Sequence, residues 1–195
     1  MKPDIEKLVS DIREREARLQ ERFAEAEREF RYELHGRRVR FSRELREAHR
    51  RYRVGLLRYL RRSRPLFVLT APVIYAMSVP LVFLDVALAI YQHICFRAYE
   101  IPRVRRRDYL VVDRNLLAYL NLLEKFNCVY CSYANGLIAF AREVVARTEQ
   151  YWCPIRHARR IADPHDRYPH FLDYGDASRY REGLEELRRG LQSET

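Results

Sequence analysis

One stretch limits what this chain can fold into more than any other. Leu66 to Phe96, LFVLTAPVIYAMSVPLVFLDVALAIYQHICF, is 31 residues long and holds a single formal charge, Asp85. A spanning helix needs about 20 apolar residues, and two spans need about 40 plus a turn. The run is therefore too long for one upright helix and too short for two. Pro72 and Pro80 bracket its middle, and proline removes a backbone donor and kinks a helix. Thr70 and Ser78 are hydroxyls placed to take up freed carbonyls. Arginines crowd both ends: Arg58, Arg61, Arg62 and Arg64 before, then Arg97, Arg103, Arg105, Arg106 and Arg107 after. Arginine marks the cytoplasmic side of a membrane segment. Two basic flanks predict a re-entrant helix–break–helix hairpin with both ends on that side. A single tilted span is the main rival, and a buried core segment of a soluble domain is the ordinary alternative.

Asp85, Gln92 and His93 are polar groups at membrane depth. Such groups face protein or water and are functional candidates by default; the plainer reading is that they pair with one another or with backbone. The head-group candidates are Arg61, Arg62, Arg64, Arg103, Arg105, Arg106 and Arg107.

The rest of the chain is very polar. The formal charge of the whole chain is +10, and of 37 basic residues only Lys2, Lys7 and Lys125 are lysine. Arginine pairs with phosphate in a bidentate way that lysine does not, so anionic lipid head groups are the expected partner. No helix-turn-helix, RNP or finger motif supports nucleic acid, and the arginines are interleaved with glutamates. No secretory signal is visible at the start of the sequence, so Cys95, Cys128, Cys131 and Cys153 read as reduced thiols or metal ligands rather than disulfides.

Residues 1–64 carry two apolar rows, Leu8, Leu19, Phe30, Phe41, Tyr52 and Ile12, Phe23, Leu34, Leu45, Leu56. Each step is 11 residues and the rows lie four apart. Eleven residues in three turns is about 3.67 per turn, the period of a nearly straight helix. The pattern predicts one helix of roughly 55 residues, about 80 Å long. Gly36 is its weak point, at about 1 kcal/mol relative to alanine. Two rows make a narrow seam that suits a coiled-coil partner, either a second copy of the chain or the helices after the membrane segment.

After the membrane segment, Glu100–Pro102 reads as a turn. Asp113 is placed to cap a helix whose face is Leu116, Leu117, Leu120, Leu123 and Phe126, with Tyr109 and Tyr119 at the membrane interface. The most specific local words follow: Asn127-Cys128-Val-Tyr-Cys131 and Trp152-Cys153-Pro154-Ile-Arg-His157. Cys128, Cys131, Cys153 and His157 make a Cys3His set, a common tetrahedral ligand set for zinc, with iron as the other metal considered. Pro154 suits the first position of a helix capped at Cys153, and a helix start there would lower the thiol pKa. The spacing raises an objection: a helix over Leu137–Tyr151 separates Cys131 from Cys153 by more than about 20 Å. One site then needs a bent segment or ligands from two chains. A redox dithiol at Cys128 and Cys131 is the second reading, and buried, inert cysteines the plain one. A carboxylate site on Glu124, Glu143, Glu149 and His157 is weaker, because Glu143 and Glu149 do not share a helix face. Nucleophile-elbow, phosphate-loop and zinc-protease motifs are missing.

The words NCVYCSYANG, EQYWCPIRHARR and DYGDASRYR resemble those of a family of uncharacterised bacterial membrane-associated proteins. The resemblance runs from the arginine cluster near Arg103 onward. It implies a bacterial inner-membrane address with the bulk of the chain cytoplasmic, and it implies no reaction.

At the C-terminal end, HDRYPHFLDYGD reads as an aromatic plug packing over the helices; the alternative is a cover that closes the cysteine region from water, with His165 or His170 as spare ligands. Asp176 or Ser178 caps a last amphipathic helix with Leu184, Leu187 and Leu191. The expectation is an all-α protein: a long helix over 1–64, a membrane segment over 65–97 and a helical Cys/His domain over 98–195. The leading function is a membrane-anchored, metal-binding assembly or adaptor protein that self-associates through the eleven-residue repeat. The alternative is a membrane-bound redox or metal-dependent enzyme acting on a lipid-soluble substrate.

Overall fold

The computed structural model describes residues 3–29, 32–35 and 38–194. Among the described residues the chain is mostly helical, with one two-stranded hairpin. Its residues form two units: 1–59 with 113–125, and 60–112 with 126–195.

In the first unit the single long helix is replaced by four elements: α1 (Pro3–Glu29), an antiparallel hairpin of β1 (Tyr32–His35) and β2 (Arg38–Phe41), α2 (Arg43–Arg50) and, from Leu56, α3 (Leu56–Arg62). The eleven-residue rows cross all of them. The reason is local. Tyr32, Val39 and Phe41 are residues that favour strands, and the segment between them contains a glycine. Ser42 then starts a new helix, its Oγ accepting the Leu45 N–H at 3.2 Å. Gly55, a second breaker, precedes α3. Neither α2 nor α3 contains a buried residue. Phe30 and Gly36, both part of the repeat argument, lie outside the described residues. The 113–125 segment begins with a short 3-10 turn at Arg114–Leu116 rather than a helix capped by Asp113. Asn121 caps instead: its N–H donates to Glu124 Oε2 (2.8 Å) and its Oδ1 accepts the Glu124 N–H (3.0 Å). This reciprocal capping box opens α6 (Leu122–Trp152).

The second unit is organised by one interrupted apolar helix. It comprises α4 (Pro65–Ala76), α5 (Ser78–Tyr91) and a π-helical turn at Gln92–Phe96. The break falls at Met77, whose φ of −63° and ψ of −15° are right-handed. The Leu81 N–H reaches the Met77 carbonyl (3.4 Å) and the chain continues forward, so the turn a re-entrant hairpin needs is not made. Thr70 Oγ1 donates to Leu66 O (2.9 Å) and Ser78 Oγ to Tyr75 O (2.6 Å). These carbonyls lie two residues and one residue before the ones that Pro72 and Pro80 deprive of a donor, Val68 and Ala76.

α6 lies parallel to this helix. Tyr75 meets Asn127, Ile74 meets Tyr130, Asp85 meets Tyr133 and Tyr91 meets Thr148, separations of 48 to 57 residues throughout. A parallel pair needs a connection that travels the length of the helix back. The chain turns at Glu100, whose φ of 57° is left-handed and therefore strained for a residue with a Cβ. It returns along the pair: the Val104 N–H donates to Gln92 Oε1 (2.8 Å), and Arg106 reaches Asp85. At Gly136 the returning chain touches α6 directly. A Cβ there would sit 2.7 Å from the Tyr109 carbonyl oxygen and 3.0 Å from Leu110 Cα, so no other residue fits without displacing backbone. The core that results joins Leu88 and Phe96 of the apolar helix, Ile101 and Val104 of the return, Leu137, Phe140 and Val144 of α6, and Leu191 of α7 (Tyr180–Gln192).

The expected last helix is present as α7, with Leu184 and Leu191 buried. Asp176 Oδ1 accepts the Arg179 N–H (3.2 Å) ahead of it. The aromatic plug also forms: the rings of His165, Tyr168 and Phe171 meet edge-on or tilted, and Phe171 is buried.

Candidate functional site

The site begins with the two faces of α5. Leu81, Leu84, Leu88, Gln92 and Phe96 recur at three- and four-residue steps and pack into the core. Val79, Val82, Phe83, Val86, Ile90 and Ile94 recur in the same way and are exposed, with 75% of Phe83 open to solvent. At 100° per residue the two sets lie on opposite sides of one helix. Ahead of them, Pro65–Thr70 are exposed throughout. One helix, Pro65–Phe96, is thus long and apolar enough to cross a membrane, and only 6% of its most apolar window is buried. A core helix of a soluble domain would be mostly buried, so that alternative does not describe it.

α6 covers only one side of this helix, and its own outer side is mixed. Cys131, Asn135, Ile138 and Arg142 are exposed there. Between the two helices runs a polar seam. Tyr75 OH donates to Asn127 Oδ1, Tyr130 OH to Ile74 O (2.9 Å), and Tyr133 OH to Asp85 Oδ2 (3.0 Å). Arg106 holds both Asp85 oxygens, at 3.0 and 2.6 Å. A bidentate guanidinium–carboxylate pair is among the strongest side-chain contacts, and it makes the one acid of the apolar run a bound structural group. Gln92 is likewise used by backbone. His93 is exposed. Sequence reasoning missed the seam's α6 partners. The signal for them is the uncharged run Phe126–Ala141, with Asn127, Tyr130 and Tyr133 three residues apart.

The structure does not bring the cysteines together. Cys128 and Cys131 lie on α6, which continues unbroken to Trp152, so about 30 Å of helical rise separates Cys131 from Cys153. All four cysteines are free thiols. Among the described residues no group of three or more His, Cys, Asp or Glu side chains is arranged to hold a metal ion. The Cys3His set is therefore not assembled within this chain. No helix starts at Cys153 either: it follows the end of α6, and Ile155 pairs with Leu172 in an extended bridge. Burial, together with Glu149, pushes the Cys153 thiol up, opposite to the shift a helix start would produce. His157 stacks on Tyr168 and donates its backbone N–H to the Tyr168 hydroxyl (2.7 Å).

The carboxylates proposed for a bundle metal site are bound elsewhere. Glu143 accepts from Arg147 and Arg167, each at 2.8 Å. Arg167 also holds Glu194 (2.7 Å), and Glu149 pairs with His165 Nε2 (2.9 Å). Burial lowers the affinity of Arg167 for its proton, but hydrogen bonds to Glu194 and Glu143 outweigh it and hold the guanidinium above its ordinary value. The same bond holds the Glu194 carboxyl below the usual carboxylate range. This network clamps the C-terminal end of α7 to α6.

The proposed head-group arginines, Arg61, Arg62, Arg64, Arg103, Arg105, Arg106 and Arg107, are all exposed and flank the two ends of the apolar helix in sequence. Compared with protein-family models, curated proteins and solved structures, the chain finds no match.

Proposed function

We propose that this protein is a monotopic membrane-anchored assembly or adaptor protein. Its apolar helix lies in the plane of one leaflet, with its bare face in the acyl boundary and α6 on its water side. The observation that carries this reading is the opposition of faces on α5: one buried against α6, the other apolar and uncovered over Val79–Ile94. The charged return segment supports it. Arg103–Arg106 run beside Asp85–Gln92, so lipid cannot surround the helix there without burying charge. An in-plane helix also lets both basic flanks sit at head-group level, as interfacial helices do. Self-association along the α1 stripe remains part of the reading, supported by the exposed Leu19 and Phe23. A bacterial inner-membrane address rests on the resemblance in the second half of the chain.

The test is flotation of the full chain with phospholipid vesicles, alongside terminal tags in intact cells. The wild type should float, and the triple variant Val82→Asp, Val86→Asp, Ile90→Asp should stay with the soluble fraction. Both tags should lie on one side of the membrane. Tags on opposite sides would establish a crossing helix and sink the in-plane arrangement.

A further inference from the structure

We propose that a cavity beside the apolar helix is a binding site for the phosphate of an anionic phospholipid head group; this rests on the membrane reading above. The cavity, of about 580 Å³, lies between the last turns of the apolar helix and the returning chain. His93, Arg103, Arg105 and Arg106 bring cationic or neutral donors to it, and Asp85 is the one acid lining it. Arg106 already neutralises that acid through two hydrogen bonds. The side chains of Arg103 and Arg105 have no ion-pair or hydrogen-bond partner among the described residues; only the Arg105 carbonyl is engaged, by the Asp108 N–H (2.9 Å). Two guanidinium groups with unused donors beside a neutralised carboxylate form a cradle for a monoanion, and the planar fork of arginine matches phosphate oxygens two at a time.

The neighbourhood selects a lipid over a free anion. Ala89 and His93 line the cavity, and the next residues along the helix, Ile90 and Ile94, belong to the bare apolar face. A ligand held by its phosphate at Arg103 and Arg105 can therefore lay acyl chains along Val86, Ile90 and Ile94. Inorganic phosphate uses only the first half of this surface. The π-helical turn at Gln92–Phe96 contributes to the shape: it buries Gln92, whose Oε1 fixes Val104 between the two arginines, while leaving His93 exposed.

The experiment uses the full chain in detergent, with phosphatidylglycerol or phosphatidylcholine added, and reads retained lipid by native mass spectrometry. Phosphatidylglycerol should be retained preferentially, and Arg103→Gln with Arg105→Gln should lower that retention about tenfold. Arg159→Gln with Arg160→Gln, which are exposed and lie outside the cavity, should change it little. Circular dichroism checks that both variants keep the wild-type melt; both pairs are exposed. Equal losses in the two variants, or no loss in either, overturn the site. Release of bound lipid by millimolar inorganic phosphate, with phosphate itself then retained, overturns the lipid assignment in favour of a free anion. Vesicle flotation separates this from the parent reading. Floating with both lipids but preferring neither removes the head-group site alone, and floating with neither removes the membrane reading as well.

Discussion

Residues 1–62 and residues 65–192 are built on opposite terms. The first region has the most regular apolar pattern in the chain, two rows stepping by eleven. Yet α2 and α3 bury nothing, and Leu19 and Phe23 on α1 are exposed. The second region has no such repeat, and every buried residue among those described lies between Leu88 and Leu191. A repeat specifies a face, which is a statement about one helix. A core needs unlike shapes from distant segments to fill one volume. The parallel pairing of α6 with the apolar helix supplies this, through contacts 48 to 57 residues apart, and the repeat does not.

The contrast can be broken or sharpened by substitution. Phe96→Ala should have the largest effect, a loss of about 3–5 kcal/mol, because the ring is fully buried and its removal leaves a cavity. A thermal melt that barely moved would mean that the second unit has no core of its own. Gly136→Ala should lose about 1–3 kcal/mol by forcing the returning chain away from α6. If it is neutral, the close approach at Tyr109 is not part of the fold.

Arg167→Gln should lose about 1–2 kcal/mol once the solvent reaching Glu194 is allowed for. It also carries a pH signature. Arg167 holds the Glu194 carboxyl below its ordinary range. A depressed carboxyl stabilises the fold above its unfolded pKa, and that contribution is lost as pH falls through the folded value. Wild-type stability should therefore drop at acid pH more steeply than that of Arg167→Gln. Parallel curves would deny the pair any role in holding α7. At the other end of the scale, Phe23→Gln should change the melt by less than about 0.5 kcal/mol. Sedimentation of the same variant tests the stripe as a contact between copies. A large loss of stability would show that the stripe is already covered within the chain, and would undo the comparison between the two regions.

Part of the candidate site is legible in the residues alone. The length and charge-poverty of Leu66–Phe96 mark the anchor, and Asp85 stands out as its one acid. Cys128, Cys131, Cys153 and His157 stand out as well, on residue type, but type says nothing about distance. The capping box at Asn121 and the lack of a proline as far as Trp152 produce one continuous α6, and such a helix cannot close a four-ligand site across roughly twenty residues of helical rise. The β1–β2 hairpin is hidden for a related reason. An eleven-residue period survives when a helix is interrupted, because the side chains are counted along the sequence while the backbone is free to change between them.

Local chemistry decided where this chain is apolar, where it is basic and which segments are helical, because those properties belong to residues and their near neighbours. Only the tertiary structure decided that Asp85 belongs to Arg106, that Gly136 is a point of backbone contact, and that one face of the apolar helix is spent on protein while the other is left bare. Each of those depends on which distant segment arrives alongside, and that is set by the packing of the whole unit rather than by any stretch within it.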